Sequence, residues 1–147
     1  MKETPTTSAE RPEIGALAAR APERRPGGRV LVIDDDVAVG MVLSRAMARL
    51  GFAAAVAADG PKGIALFNSD PSSFVLVLLD FKLPGMTSLE VHRLLRAARP
   101  ELPIVLMSGY NQDEAMNNSN GLDLAGFLHK PFTMDTLSQA LRSALTS

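Results

Sequence analysis

FVLVLLDFKLPGM, residues 74–86, is the stretch on which the fold turns. Six apolar residues, Phe74 to Leu79, run without interruption into Asp80, and Pro84-Gly85 marks a turn shortly after. A short apolar run with no polar alternation predicts a strand buried on both faces, as in a parallel sheet. An acid at the end of such a strand lies where open α/β sheets build their sites, at the carboxyl edge.

Two further runs have the same form. VLVI at 30–33 ends in Asp34, Asp35 and Asp36, and IVLM at 104–107 ends in Ser108. FAAAV at 52–56 and GFLH at 126–129 are weaker strand candidates, the latter followed by Lys130. Helical spacing fills the gaps. Val39, Val42, Leu43, Ala46, Met47 and Leu50 form one apolar stripe, closed by Gly51. Val91, Leu94, Leu95 and Ala98 form a second before Pro100, and Met134, Leu137, Leu141, Ala144 and Leu145 a third. A short helix is expected around 61–68. Another is expected over 111–120, where Asn117, Asn118, Ser119 and Asn120 favour turns instead. The order is β-α five times over, which argues for an α/β parallel sheet with helices on both faces and right-handed crossovers.

The first 28 residues differ in kind. Pro5, Pro12, Pro22 and Pro26, Gly27-Gly28 and scattered charges offer too little apolar surface to offset the entropy of ordering. We read 1–28 as a leader or linker and 29–147 as one domain. The formal net charge of -1 gives no basic surface for nucleic acid. The absence of cysteine excludes disulfides, thiolate zinc sites and cysteine nucleophiles. No signal peptide opens the chain, and no apolar run reaches the ~20 residues that span a bilayer. No membrane partner is expected, and the expected location is the cytoplasm.

The residues that end the strands carry the chemistry. Asp34, Asp35 and Asp36 would meet Asp80 at one edge of the sheet, with Ser108 and Lys130 beside them. Carboxylates brought together disfavour one another's ionisation, and a divalent cation removes the conflict. An acid cluster without His or Cys points to Mg2+ rather than zinc. Asp80 can then act as a carboxylate nucleophile toward a phosphoryl group, Lys130 as a point charge and Ser108 as a hydrogen-bond donor. Each residue alone has a plainer reading. Asp34 to Asp36 can cap the first helix, Asp80 and Ser108 can be turn residues, and Lys130 can be a surface lysine.

Together the motifs resemble the receiver domains of bacterial response regulators and hybrid sensor histidine kinases. VLVIDDD at 30–36, VLLDFKLPGM at 77–86, LMSGY at 106–110 and FLHKPF at 127–132 are similar to that family's motifs, in its order, over about 29–146. The resemblance implies a flavodoxin-like doubly wound sheet in strand order 2-1-3-4-5. It implies Asp80 as phosphoacceptor. The metal ligands would be Asp35, Asp34 largely through water, Asp80 and the backbone carbonyl of Lys82. Ser108 and Lys130 would be the hydroxyl and the lysine, Phe127 the aromatic switch, and Lys130-Pro131 a cis peptide. It implies transfer from a histidine kinase or histidine phosphotransfer protein in a two-component phosphorelay, and a switched face that binds a downstream protein; a homodimer is compatible with it. The chain is expected to be a signalling switch, not an enzyme acting on other substrates. Thr87-Ser88 stands where the family usually has Asp-Gly, and Thr87 with Glu90 forms a capping box that starts the third helix without the glycine. No output domain is expected after the last helix, an expectation that suits either a single-domain regulator or a receiver from a hybrid kinase.

Three rival readings differ from this one. A degenerate receiver would bind partners without taking phosphate. An aspartyl-phosphate phosphatase typically carries a second acid two residues past the nucleophile, where Lys82 stands here. A flavin module needs a phosphate-cradling loop after the first strand, and none is present.

Overall fold

A computed structural model describes residues 27–109 and 122–146. Five strands, β1 (Arg29–Ile33), β2 (Ala53–Ala57), β3 (Phe74–Asp80), β4 (Ile104–Ser108) and β5 (Gly126–His129), form one parallel sheet. Their order is β2-β1-β3-β4-β5. Among the described residues four α-helices accompany them: α1 (Val37–Arg49), α2 (Gly60–Ser69), α3 (Ser88–Ala98) and α4 (Met134–Thr146). The expected helix over 111–120 and most of the leader lie outside the described residues.

The unalternating apolar runs follow from burial on both faces. Val30, Val32, Leu76, Leu78, Val105 and Met107 turn to one side and pack with Leu43 and Met47 of α1 and Leu137 and Leu141 of α4. Leu31, Ile33, Val77, Leu79, Ile104 and Leu106 turn to the other and pack with Phe67 of α2 and Val91 and Leu95 of α3. Each such side chain contributes roughly 1.5–3 kcal/mol by leaving water. The central strands β1, β3 and β4 are almost wholly buried, whereas edge strands β2 and β5 are mostly half-buried. That is why FAAAV and GFLH were the weaker signals.

The helix ends follow the local chemistry of the sequence. Asp36 caps α1, its carboxylate accepting the amides of Ala38 and Val39. Asp59 caps α2 through the amide of Lys62. Thr87 and Glu90 form the reciprocal capping box of α3. Gly51 takes a φ of 93° after α1, and Gly85 a φ of 74° in the turn behind Asp80; both are left-handed values that favour glycine. The Lys130-Pro131 peptide is cis.

Two readings are refined. Val42, Leu94, Met134 and Leu145 were assigned to apolar stripes, yet they are exposed. A stripe defined by spacing is wider than the face that touches the sheet, so its flanks stay in solvent. The sheet also starts earlier than Arg29 suggests: the Gly27 amide donates to the Gly51 carbonyl and the Ala53 amide to the Gly28 carbonyl.

Close packing requires one glycine in particular. A Cβ on Gly63 would stand 2.7 Å from Cγ1 of Ile33, a fully buried side chain. Gly63→Ala is therefore expected to lower the unfolding free energy by about 1–2 kcal/mol, overpacking outweighing alanine's better helix propensity. Urea denaturation measures it, and a stabilised variant would show that α2 can retreat.

Candidate functional site

The first three β-α turns and the end of β5 meet at the carboxyl edge of the sheet. Asp34 directly follows β1 and is 2% exposed. Its amide is tied to the Ala57 carbonyl of β2, and its Oδ1 accepts the Asp36 amide at 2.9 Å. Asp80 is the last residue of β3 and is 6% exposed. Lys130 follows β5, and its amide donates to the Ser108 carbonyl at 2.8 Å. Its Nζ bridges the two buried acids, 2.8 Å from Asp34 Oδ2 and 3.1 Å from Asp80 Oδ1.

Asp35 is exposed, but it can bring a carboxylate oxygen to the same place. One oxygen from each of Asp34, Asp35 and Asp80 lies within 4.8 Å of the others. Three carboxylates thus face one ammonium group, and positive charge is short. Burial, followed by the charge of Asp34, pushes the Asp80 carboxyl from its ordinary 3.8 up to about 6, against the pull of Lys130. Burial works to lower the Lys130 pKa, but its hydrogen bonds to Asp34 and Asp80 prevail and hold it above the ordinary lysine value. Three hard oxygen donors with no imidazole or thiolate, already short of countercharge, fit a divalent cation such as Mg2+.

The other expected residues fall as follows. Ser108 ends β4 and is buried. Met107 beside it pairs with Asp80 in the ladder and accepts the Phe81 amide at 2.7 Å, so the ends of β3 and β4 are locked together. Phe127 pairs with Leu106 and His129 with Ser108. Phe127 and Ser108 therefore project from the same face of the sheet, two residues apart along the ladder. Phe127 is half-buried against the cluster beneath α2 and α3. Lys82 lies in the loop two residues past Asp80, with its side chain exposed. Asp36, the third member of the acidic run, turns away to cap α1.

The sequence reading missed three supporting residues. Ser88, buried at the start of α3, donates its hydroxyl to the carbonyl of Phe81, next to Asp80. His92 and Arg96 of α3 both reach the Asp123 carbonyl, each at 2.8 Å, and Arg96 also donates to the Leu102 carbonyl at 2.6 Å. They fix the chain on its way into β5. Their partners are backbone carbonyls brought close only by the fold, and no spacing in the sequence signals that.

Comparison with known proteins follows the same lines. Residues 30–142 match the family model for the response regulator receiver domain. The chain is 34% identical over 119 residues to the response regulator MprA of Mycolicibacterium vanbaalenii, covering 80% of this chain and 50% of that protein. It is 30% identical over 120 residues to the transcriptional regulatory protein YkoG of Bacillus subtilis, covering 80% and 51%. The chain thus spans about half the length of these relatives. Among solved structures, the chemotaxis protein CheY4 of Vibrio cholerae superposes with a TM-score of 0.74 at 25% identity, over 80% of this chain and 98% of that one.

The shortage of positive charge has a measurable consequence. A carboxyl whose pKa is raised in the fold binds its proton more tightly there than in the unfolded chain, so its contribution is lost as pH rises from about 4 to about 6. In chelator, Asp80→Asn should be more stable than the unaltered chain by about 1–2 kcal/mol near neutral pH, a figure discounted for solvent screening. The difference should fade toward about pH 4. Urea denaturation at the two pH values tests it; an Asn variant less stable at neutral pH would mean that Lys130 already compensates Asp80.

Proposed function

The chain belongs to the response regulator receiver domain family, and on that premise we propose that it is a phosphoryl-accepting switch whose acceptor is Asp80. The observation that carries this reading is the shared ammonium group: Lys130 Nζ lies within 3.1 Å of both Asp34 and Asp80, at the rim where Ser108 also ends its strand. A buried carboxylate beside a lysine, a hydroxyl-bearing residue and two further acids suits phosphoryl transfer, which needs positioning and charge neutralisation more than covalent machinery.

In this mechanism a carboxylate oxygen of Asp80 attacks phosphorus of a phosphohistidine, and the N–P bond breaks with its electrons leaving on the imidazole. Lys130 is placed to take one phosphoryl oxygen once the acceptor oxygen is consumed. The Ser108 hydroxyl, at the end of the neighbouring strand, is placed to donate to another. Asp34, Asp35 and Asp80 would hold Mg2+, with the Lys82 carbonyl as a further ligand, and the bound ion would supply the remaining countercharge for the phosphoryl oxygens. The phosphoryl group ends on the chain's own aspartate, so we class the protein as a switch and not as an enzyme that modifies other substrates.

The donor we propose is a histidine kinase or a histidine phosphotransfer protein. Asp80 is too buried to be reached except at the rim, and that rim is bordered by α1, where Val37 is 72% exposed and Met41 and Val42 are also in solvent. Exposed apolar residues clustered beside a reactive group suit a protein donor. The switch we propose runs from the acceptor to β5. Ser108 moves toward the phosphoryl group, and Phe127, on the same face of the sheet, turns into the space beneath it.

Incubation with acetyl phosphate and Mg2+ should give one retarded species on a phosphate-binding gel. It should be absent in Asp80→Asn and form about a hundredfold more slowly in Lys130→Ala. A retarded species that survives Asp80→Asn, or no retarded species at all, defeats the assignment. For the switch, a phosphoryl mimic bound with Mg2+ should shift the Phe127 ring resonances in NMR spectra and leave those of Phe67, buried on the inner side of α2, in place. Unmoved Phe127 signals would separate the acceptor chemistry from this output.

A further inference from the structure

The two edges of the sheet are finished differently. At one end β5 runs directly into Lys130, whose ammonium turns inward to Asp34 and Asp80, and Pro131, a residue without an amide proton. At the other end β2 meets no proline before Pro61. Phe52 to Ala58 reads FAAAVAA, with no charge and no proline. Folded proteins commonly blunt a free edge with lysine, proline, a bulge or a covering segment. Among the described residues β2 pairs only with β1, and no register shift interrupts it.

The ladder shows which backbone groups the edge leaves over. The Ala53 amide donates inward to Gly28, and the Ala57 carbonyl accepts inward from Asp34, both at 3.0 Å. In a parallel pair, residues that turn both groups to the partner alternate with residues that turn both away. Ala53, Ala55 and Ala57 therefore face β1, and Ala54 and Val56 direct their N–H and C=O groups outward. The Val56 side chain is 41% exposed. It borders an open groove lined by Val37, Met41, Arg45 and Ala58 that runs beside α1.

We propose that two copies of the chain pair antiparallel along β2, about a two-fold axis at Ala55, joining their sheets into one. Ala54 of one copy exchanges both backbone hydrogen bonds with Val56 of the other, and the symmetry repeats the exchange. The occupant is a second copy because the edge complements itself. Its outward groups are placed symmetrically about Ala55, and the strand carries no charge from 52 to 58. The two-fold axis also sets both α1 helices on one face, where the Val56 groove meets its own image. Such isologous pairing is the commonest closed arrangement of identical chains. The groove beside it reaches Asp34, but the pairing itself is made by backbone groups of β2 and does not depend on phosphoryl chemistry.

The test is sedimentation equilibrium on the full chain from micromolar to millimolar loading, with amide exchange followed at Ala54 and Val56. The expected result is a monomer–dimer equilibrium in which both amides gain protection as dimer forms. Ala54→Pro removes only an outward amide, which edge strands tolerate, and Val56→Lys places a cation on the exposed side. Each should raise the dissociation constant about tenfold or more, while acceptance from acetyl phosphate, tested in parallel, is retained. A chain that stays monomeric overturns the proposal. So does a dimer that both variants leave intact. Protection of the two amides in a monomer would mean that another part of the chain covers the edge, and it overturns self-pairing as well.

Discussion

One ammonium group shared between two buried carboxylates is the constraint on which the site rests. Lys130 can reach Asp34 and Asp80 together only because β5, β1 and β3 end at the same level of the sheet. That level is set by ladder register over the whole length of the strands, and register is set by side chains buried on both faces. A slip of one residue in β3 would turn Asp80 to the other face and move Val77 and Leu79 from the cluster beneath α2 and α3 to the one beneath α1 and α4. The apolar core therefore does more than stabilise the fold. It fixes where the charges stand, and it does so with residues that have no chemistry of their own.

The charges in turn oppose the fold. Three carboxylates gathered around one lysine leave Asp80 with a carboxyl pushed up to about 6, chiefly by burial and then by Asp34. A protein selected only for stability would place an amide or an apolar residue there. Retaining a buried, uncompensated acid makes sense where the missing positive charge arrives from outside. The surrounding hydrogen bonds restrain the acids in the meantime: the Asp36 amide holds Asp34, the Ser88 hydroxyl holds the Phe81 carbonyl, and the Ser108 carbonyl holds the Lys130 amide. None of these bonds involves a cation, so the geometry of the notch is set by the chain alone.

Most of this was legible in the sequence, for reasons that differ from element to element. Strands β1, β3 and β4 announce themselves because burial on both faces removes every polar residue from the run. The GFLH boundaries of β5 were read correctly, but only the acids and the lysine beyond the strands made so short a run credible. The family resemblance added the strand order, which periodicity could not supply. What stayed hidden has a common physical cause. Ser88, His92 and Arg96 bond to backbone carbonyls, which carry no sequence identity, so no spacing marks them. Val42, Leu94, Met134 and Leu145 have core chemistry but lie on the flanks of their helices, and only the neighbouring element decides which flank is covered.

The acidic run at 34–36 shows why competing readings of one motif need not exclude each other. Capping and charge clustering were alternatives while the three residues were taken as a unit. In the fold they are separate roles, because a chain leaving a strand and entering a helix rotates successive side chains to different directions. Asp34 still points along the strand's carboxyl end and meets Lys130. Asp36 has already reached the helix start, where its carboxylate accepts two free amides. Asp35 lies between them, exposed, with an oxygen close enough to join Asp34 and Asp80. Capping serves the cluster as well. By fixing the first turn of α1, Asp36 also fixes the backbone amide that Asp34 accepts, and so the orientation of the buried carboxylate. The plain structural role of one aspartate is part of what makes the chemical role of its neighbour available.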